Sequence, residues 1–483
     1  ASAELRYEYN PCVGSIDVVC ATVSNRNGRV HSVTARERNS LDAGWVASAP
    51  RYPAAKRLVV NLPAVEIGSV IRVTTVQTVT NAPVAFCGQY SFDSVEPISV
   101  KELNVECGDL AMKVAWGGDV GRVIETNRIC HAVTNPPALP REKSQPPSLT
   151  WRNCVIMSLA DLDERRDARW AALAGARSAG ADVAASKARE LVRGAETAEE
   201  KVRAIRNWLW RNVRLAGPDM YSIPFDMAFF PPDRSISDGY ASAADWMNAY
   251  YAMLEAVGFD VEYILSDGDA AGYPEISQVR RTVPQPDDFD DLLMRAGIRE
   301  GGFLGLFGGE LKSYVLDYEN DCAPLGVRDV EGRNGRTENF MSIDVNDTGA
   351  ARIVVSNSTW GVAVAGLRKL YSEMLPERRS RHYAELIGNI AESAEAISGL
   401  ETDVKGYPFV IRYSAYAPNY AARNGDTISL VVPGLGGAFL PEAESERKSP
   451  FGVGGRLRPV VTVREVVMPE GYTAVERSPE GWE

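Results

Sequence analysis

Histidine is scarce in this chain. His31, His131 and His382 are the only three in 483 residues, which leaves little for a metal centre or an imidazole base. Cysteine is thin as well. The seven, Cys12, Cys20, Cys87, Cys107, Cys130, Cys154 and Cys322, form no Cys-x-x-Cys pair, so neither a zinc knuckle nor a dithiol redox motif is signalled, and no metal or other cofactor is expected. Their odd number leaves at least one thiol unpaired in a monomer. The six in the first third leave room for one or two disulfides. Basic charge is in deficit: 52 basic against 64 acidic residues give a net charge of −12. That argues against a nucleic-acid partner, which needs a basic surface, and weakly against docking on an anionic membrane. No apolar run is long enough for a membrane-spanning segment. No signal-peptide pattern, tandem repeat or long low-complexity tract is found.

What is present belongs to a soluble globular protein: 45% hydrophobic and 24% charged residues, with length for two to four domains. Residues 1–157 read as an all-β module. Alternating or β-branched runs recur at Gly14–Ser24, Arg57–Leu62, Ser69–Val79, Val84–Phe92 and Leu110–Trp116, punctuated by Asn25-Arg26-Asn27-Gly28 and Gly117-Gly118. Many short strands of this kind predict a sandwich. A helical region starts near Ser158, with charged, alanine-rich stretches over Leu162–Arg193. Thr197–Val213 forms an amphipathic helix presenting Val202, Ile205, Trp208 and Leu209 on one face. A strand at Val261–Leu265 and a short strand end at Tyr314–Asp317 follow, an α+β order. From Glu338 onward strands return at Ala351–Ser356, Phe409–Tyr416, Thr427–Val432 and Pro459–Val467. One helix, about Glu377 to Ser398, interrupts them.

The most informative segment is Asp238-Gly239-Tyr240-Ala241-Ser242-Ala243-Ala244-Asp245-Trp246. Ser242 with Asp245 three residues on is a capping-box pattern. Trp246, Met247, Tyr250, Tyr251, Leu254 and Val257 follow at helical spacing, and Gly258 is a natural stop. Ala243 therefore falls in the first turn, where unpaired N–H groups and the helix dipole favour negative charge. A thiol there would be acidified and reactive. An ordinary amphipathic core helix reads the same way.

The segment resembles the nucleophile turn of transglutaminase-like enzymes, written Gly-Tyr-Gly-Asp-Cys-x-Asp in that family, with Ala243 in the cysteine position. The likeness extends along nearly the whole chain to a bacterial three-module type. Leu62-Pro63-Ala64-Val65-Glu66-Ile67-Gly68-Ser69-Val70-Ile71 is similar to a stretch of its N-terminal β-sandwich. Glu199–Ile205 with Trp208 looks like the helix before the nucleophile turn. Gly455–Pro459 and Met468–Tyr472 look like its closing strands. The first residues are similar to the middle of that sandwich rather than its start, so opening strands are expected to be missing and an edge exposed. The resemblance implies a β-sandwich over 1–157, a papain/transglutaminase-like α+β core over 158–337 and a mainly-β domain over 338–483. It also implies export, periplasmic or secreted.

Such a core needs a thiol, a histidine to take its proton and a carboxylate to orient the histidine. Asp288-Phe289-Asp290-Asp291-Leu292-Leu293 puts Asp291 in the histidine position, and Leu316-Asp317 keeps the carboxylate. Two of the three groups are thus replaced, and Asp317 has nothing to orient. A carboxylate near its reference pKa is a feeble base at neutral pH. Ser242 has its hydroxyl committed as the helix cap. The expected protein is catalytically inactive. It would hold a peptide, protein or glycan in a vestigial cleft lined by Tyr240, Ser242, Trp246, Phe229 and Phe230, or on its β-modules. The alternative is a hydrolase or transferase, protease/amidase-like or glycosidase-like, with Asp291 and Asp317 as an acid/base pair. Against that, Asp291 reads as part of a solvated loop, Asp287–Asp291. Asp317-x-Glu319-x-Asp321 fails as a calcium loop, because Cys322 stands where the turn glycine belongs and Arg328 where the glutamate belongs. Gly301–Gly309 lacks Gly-Lys-Ser/Thr and reads as a flexible loop rather than a phosphate cradle. His131 and His382 read as structural or exposed.

Overall fold

The computed structural model describes residues 3–139, 142, 145–266, 273–285, 288, 291–300, 310–316, 323–324, 337–360, 363–404, 406, 408–433, 449–450 and 460–472. It is a multidomain arrangement of many β-sheets with helices. Two compact units divide the chain: residues 1–327 with 446–456, and residues 328–445 with 457–483.

The first unit begins with strands. Gly14–Ser24 pairs with Val70–Val79 and Val30–Ser32, and Lys56–Asn61 lies between Glu4–Tyr9 and Arg38–Asp42. Val18, Ala21 and Val23 from one sheet meet Val60 and Leu62 from the other in one apolar cluster. The odd spacing of Val18 and Ala21 has a cause. The register slips between Val18 and Cys20, a bulge that throws Val19 outward and resets which residues face inward. A four-stranded antiparallel sheet follows, ordered Asp119–Thr126, Met112–Trp116, Cys154–Ser158, Cys87–Ser91. It shares a core of Phe92, Met112, Val114, Ile129 and Val155 with the pair Val100–Glu106 and Arg128–Thr134. His131 packs its ring on Phe92 and Trp116, a structural place. The six cysteines of this strand-rich region are free thiols, so the room for disulfides is unused; Cys322 lies outside the described residues.

Seven helices of this unit are described: α1 (Leu162–Ser178), α2 (Asp182–Leu191), α3 (Ala198–Asn212), α4 (Phe225–Ala228), α5 (Pro232–Asp238), α6 (Ala243–Glu255) and α7 (Pro274–Thr282). Thr197 and Glu200 close a full capping box on α3, and Val202, Ile205 and Leu209 are buried. Trp210, not Trp208, completes the buried face. Nearly every side chain of α6 is buried, as a helix enclosed by others requires. α6 packs against α1, α2, α3 and α5 and against the strands Asp260–Ser266 and Asp291–Glu300. Those strands open an antiparallel sheet continued by Glu310–Leu316 and Ala323–Pro324. Ile276 and Val279 of α7, with Val283 beyond it, join Ala115, Leu149 and Ile156 in one cluster, so the helical region and a preceding sheet share a core.

The second unit is a sheet containing Phe409–Ala417, Ala351–Thr359, Thr337–Val345 and Val460–Val467 in that order, the last pair parallel. Its core gathers Ile343, Ile353, Ala415 and Ile387. Two helices accompany it, α8 (Ala363–Glu373), which sequence periodicity did not flag, and α9 (Pro376–Gly388). α9 stops ten residues before Ser398. Glu395–Ala396 pairs with the strand Phe409–Ala417 instead, and the Tyr383 hydroxyl donates to the Ser398 carbonyl. Tertiary pairing overrides the helix-prone composition there. The Thr427–Val432 run yields only a short strand, Thr427–Ser429, in a hairpin around Gly425. His382 contacts the Tyr371 hydroxyl through Nε2 at 2.7 Å. No described helix is long and apolar enough to cross a membrane.

Candidate functional site

Gly239 ends α5 with φ +70, a left-handed turn that swings the chain into the short strand Tyr240–Ala241. That strand runs parallel to Arg214–Leu215 and delivers Ser242 to the start of α6. Ser242 Oγ accepts from the Asp245 N–H at 3.2 Å, so its hydroxyl is committed as the cap. Ala243 is the first residue of α6 and is exposed.

The return half of the capping box is absent. The Ser242 N–H donates 2.7 Å to the hydroxyl of Tyr52, a residue of the loop before the strand Lys56–Asn61. That hydroxyl donates in turn to Asp245 Oδ2 at 2.6 Å and accepts from Arg51 Nη2 at 3.0 Å. The other Asp245 oxygen accepts from the Phe230 N–H at 2.8 Å. Asp245 is 0% exposed. Burial pushes its carboxyl up to about 6, and the hydrogen bonds from Tyr52 and Phe230 with the charge of Arg51 hold it from rising further. Tyr52 stays a phenol, held far above its usual range by burial and by the charge of Asp245.

Arg51 is the centre of this cluster. Its side chain is 3% exposed, and its guanidinium pairs with Asp238 at 2.8 Å and Asp245 at 3.4 Å. The rings of Tyr52, Phe230 and Tyr240 stand 4.9–5.0 Å from its central carbon, a cation–π box. The Tyr240 hydroxyl accepts from the Arg51 backbone N–H at 2.9 Å. Tyr240, Phe230 and Ser242, expected to line a cleft, are gathered around the protein's own Arg51 and Tyr52. Sequence reasoning missed both. Their one local signal is the bracket Pro50-Arg51-Tyr52-Pro53, which marks a stiff loop but not its docking place nearly 190 residues away.

The other expected lining residues lie elsewhere. Trp246 is 0% exposed, with its ring against Trp210 and Tyr250, so it is core rather than lining. Phe229 is 8% exposed and stacks on Phe225. Asp291 begins a strand, its backbone opposite Ser266. Its side chain lies outside the described residues, as do Asp317, the Asp317–Asp321 acidic triplet and Gly301–Gly309. The loop before Asp291 is not wholly solvated: Asp288 is buried, accepts from the Gln285 N–H at 2.8 Å and pairs with Arg280 at 3.1 Å.

A cleft of about 850 Å³ opens in the same unit, but not over Ala243. Its walls come from the N-terminal strands and from the loop Gly217–Ser222, and its aromatic residues are Tyr9, Trp45, Phe86 and Tyr221. Gly217 separates the two sites. Its φ is +142, and a Cβ there would come within 2.9 Å of the Tyr52 ring and 3.4 Å of Ser242 Cβ.

Residues 1–127 match a domain of unknown function, DUF3857, which has a solved structure. Among curated proteins, none matches the chain. Among solved structures, the chain is similar to the crystal structure of a "putative protease" from Parabacteroides distasonis, with 14% identity and a TM-score of 0.50. That likeness covers 86% of this chain and 85% of the other, and it is one of fold.

Proposed function

We propose that this chain is a transglutaminase-like protein of the three-module type that has lost its nucleophile and works by binding. In this reading 1–157 is the N-terminal β-module, 158–337 the core and 338–483 the C-terminal β-module, in an exported, periplasmic or secreted protein. The observation that carries it is Ala243. An exposed methyl stands at the first residue of a capped helix, where acyl-transfer chemistry requires a thiol. The cluster beside it supports the same reading. The Ser242 N–H, the cap hydroxyl and Asp245 are all engaged with Tyr52, Arg51 or one another, so none of them is left to replace the missing nucleophile.

The test is restoration. Ala243→Cys combined with Asp291→His is compared with the parent for ammonia or amine release from glutamine-containing and peptide-amide substrates. We expect a silent parent and turnover by the double variant that iodoacetamide abolishes. Measurable turnover by the parent sinks the reading; its loss in Asp291→Asn would move the chemistry to the carboxylates.

A further inference from the structure

The 850 Å³ cleft has a chemistry of its own. Two carboxylates, Glu8 and Asp219, line it together with four aromatic rings, and no lysine, arginine or histidine does among the described residues. Glu8 is tied to Arg57 at 3.0 Å. The Asp219 backbone carbonyl caps a turn by accepting from Ser222, while its exposed carboxylate has no partner among the described residues. With Glu8 neutralised by Arg57, an anionic ligand would still meet the unpaired Asp219 in a protein at −12. The Tyr221 ring already faces Arg165 and Arg169 at 4.9 and 5.1 Å, so a cation would find the rings of Tyr9, Trp45 and Phe86 and a free carboxylate, the kind of combination that encloses Arg51 in the same unit.

The backbone adds a second constraint. The cleft is lined by Gln77–Val79, the end of one strand, and Cys87, the start of another. Both are edge strands, each with one hydrogen-bonded neighbour among the described residues. An open edge offers unpaired N–H and C=O groups to a chain in extended conformation.

We infer that this cleft binds an extended peptide segment carrying a lysine or arginine side chain, with Asp219 and the ring of Trp45 receiving the cation. This deepens the binding reading above and rests on it. The test uses the full chain and fluorescein-labelled hexapeptides of alternating alanine with lysine, arginine or glutamate, followed by fluorescence polarisation at low and high salt. The lysine and arginine peptides should bind saturably, and the glutamate peptide at least about tenfold more weakly. Asp219→Asn should weaken binding, and Asp219→Lys should weaken it further, at an exposed position whose substitution circular dichroism checks for an unchanged fold. Trp45→Ala should weaken it too, with circular dichroism confirming the fold. Equal binding of the glutamate peptide, or indifference to both Asp219 changes, overturns the inference. So does binding of a neutral oligosaccharide that the lysine peptide does not displace. Absence of peptide binding defeats the inference but leaves a silent parent enzyme; parent turnover defeats the earlier reading but leaves peptide binding measurable.

Discussion

The Tyr52 oxygen makes three hydrogen bonds, accepting from the Ser242 N–H and from Arg51 and donating to Asp245. Tyr52→Phe keeps the ring and removes all three. The Ser242 N–H and a buried carboxylate oxygen lose a partner, which should cost about 1–3 kcal/mol in urea unfolding. A change within 0.3 kcal/mol would mean that water replaces the hydroxyl freely. Arg51→Ala should cost more, about 3–5 kcal/mol, because it leaves Asp245 buried and uncompensated. Arg51→Lys should not restore it, since an ammonium cannot reach Asp238, Asp245 and the Tyr240 carbonyl together. The same carboxylate sets a pH dependence. Folded Asp245 keeps its proton up to about pH 6, whereas an unfolded aspartate releases it near 4. Between those values the folded chain binds the extra proton. The contribution of this group to stability therefore grows as pH falls below 6 and is lost as pH rises through 6. The effect saturates at roughly 3 kcal/mol. Unfolding parent and Asp245→Asn side by side isolates it: the difference should shift toward the parent from pH 7 to 4.5. A constant difference would show that Arg51 and Tyr52 hold Asp245 near its ordinary value.

At the scale of elements, what is local was legible and what is long-range was not. The Thr197–Glu200 box and the Ser242 cap were readable because each is made within four residues. Asp245 fits the same capping signature, yet its carboxylate turns to Tyr52 and Phe230, because a phenol brought from far along the chain is the better donor in a dry site. α9 was overextended for the converse reason: Ala391–Ala396 is helix-prone by composition, but strand pairing at Glu395–Ala396 claims it. The bulge at Val19 and the edge positions of the cleft strands depend on partners that periodicity cannot show. The start of α6 gives a direct test. Ala243→Cys puts a thiol on the first helical residue, where the dipole and free N–H groups favour thiolate. Alkylation followed by peptide mass spectrometry should show its rate midpoint about one pH unit below that of free cysteine. A midpoint equal to that of free cysteine would mean that this helix start no longer activates a thiol.

For the whole molecule, the sharing of cores decides what unfolds together. In the first unit the N-terminal strands and the helical region are stitched at two places. One is the α7 cluster with Ala115, Leu149 and Ile156; the other is the docking of Arg51 and Tyr52 on the start of α6. Neither part can open without exposing buried charge or apolar surface of the other. The second unit has a separate core around Ile343, Ile353, Ala415 and Ile387. Thermal unfolding of the full chain should therefore show two transitions. Ile353→Ala, at a fully buried position, should lower one by roughly 5–15 °C and leave the other in place. Leu209→Ala in α3 should do the reverse, and Tyr52→Phe should move the same transition as Leu209→Ala although the two lie in different parts of the first unit. Scanning calorimetry with all three variants separates the outcomes. If Tyr52→Phe moved a transition that Leu209→Ala left untouched, the N-terminal strands would be folding on their own, and the Arg51–Tyr52 contact would be a surface association rather than part of one cooperative core.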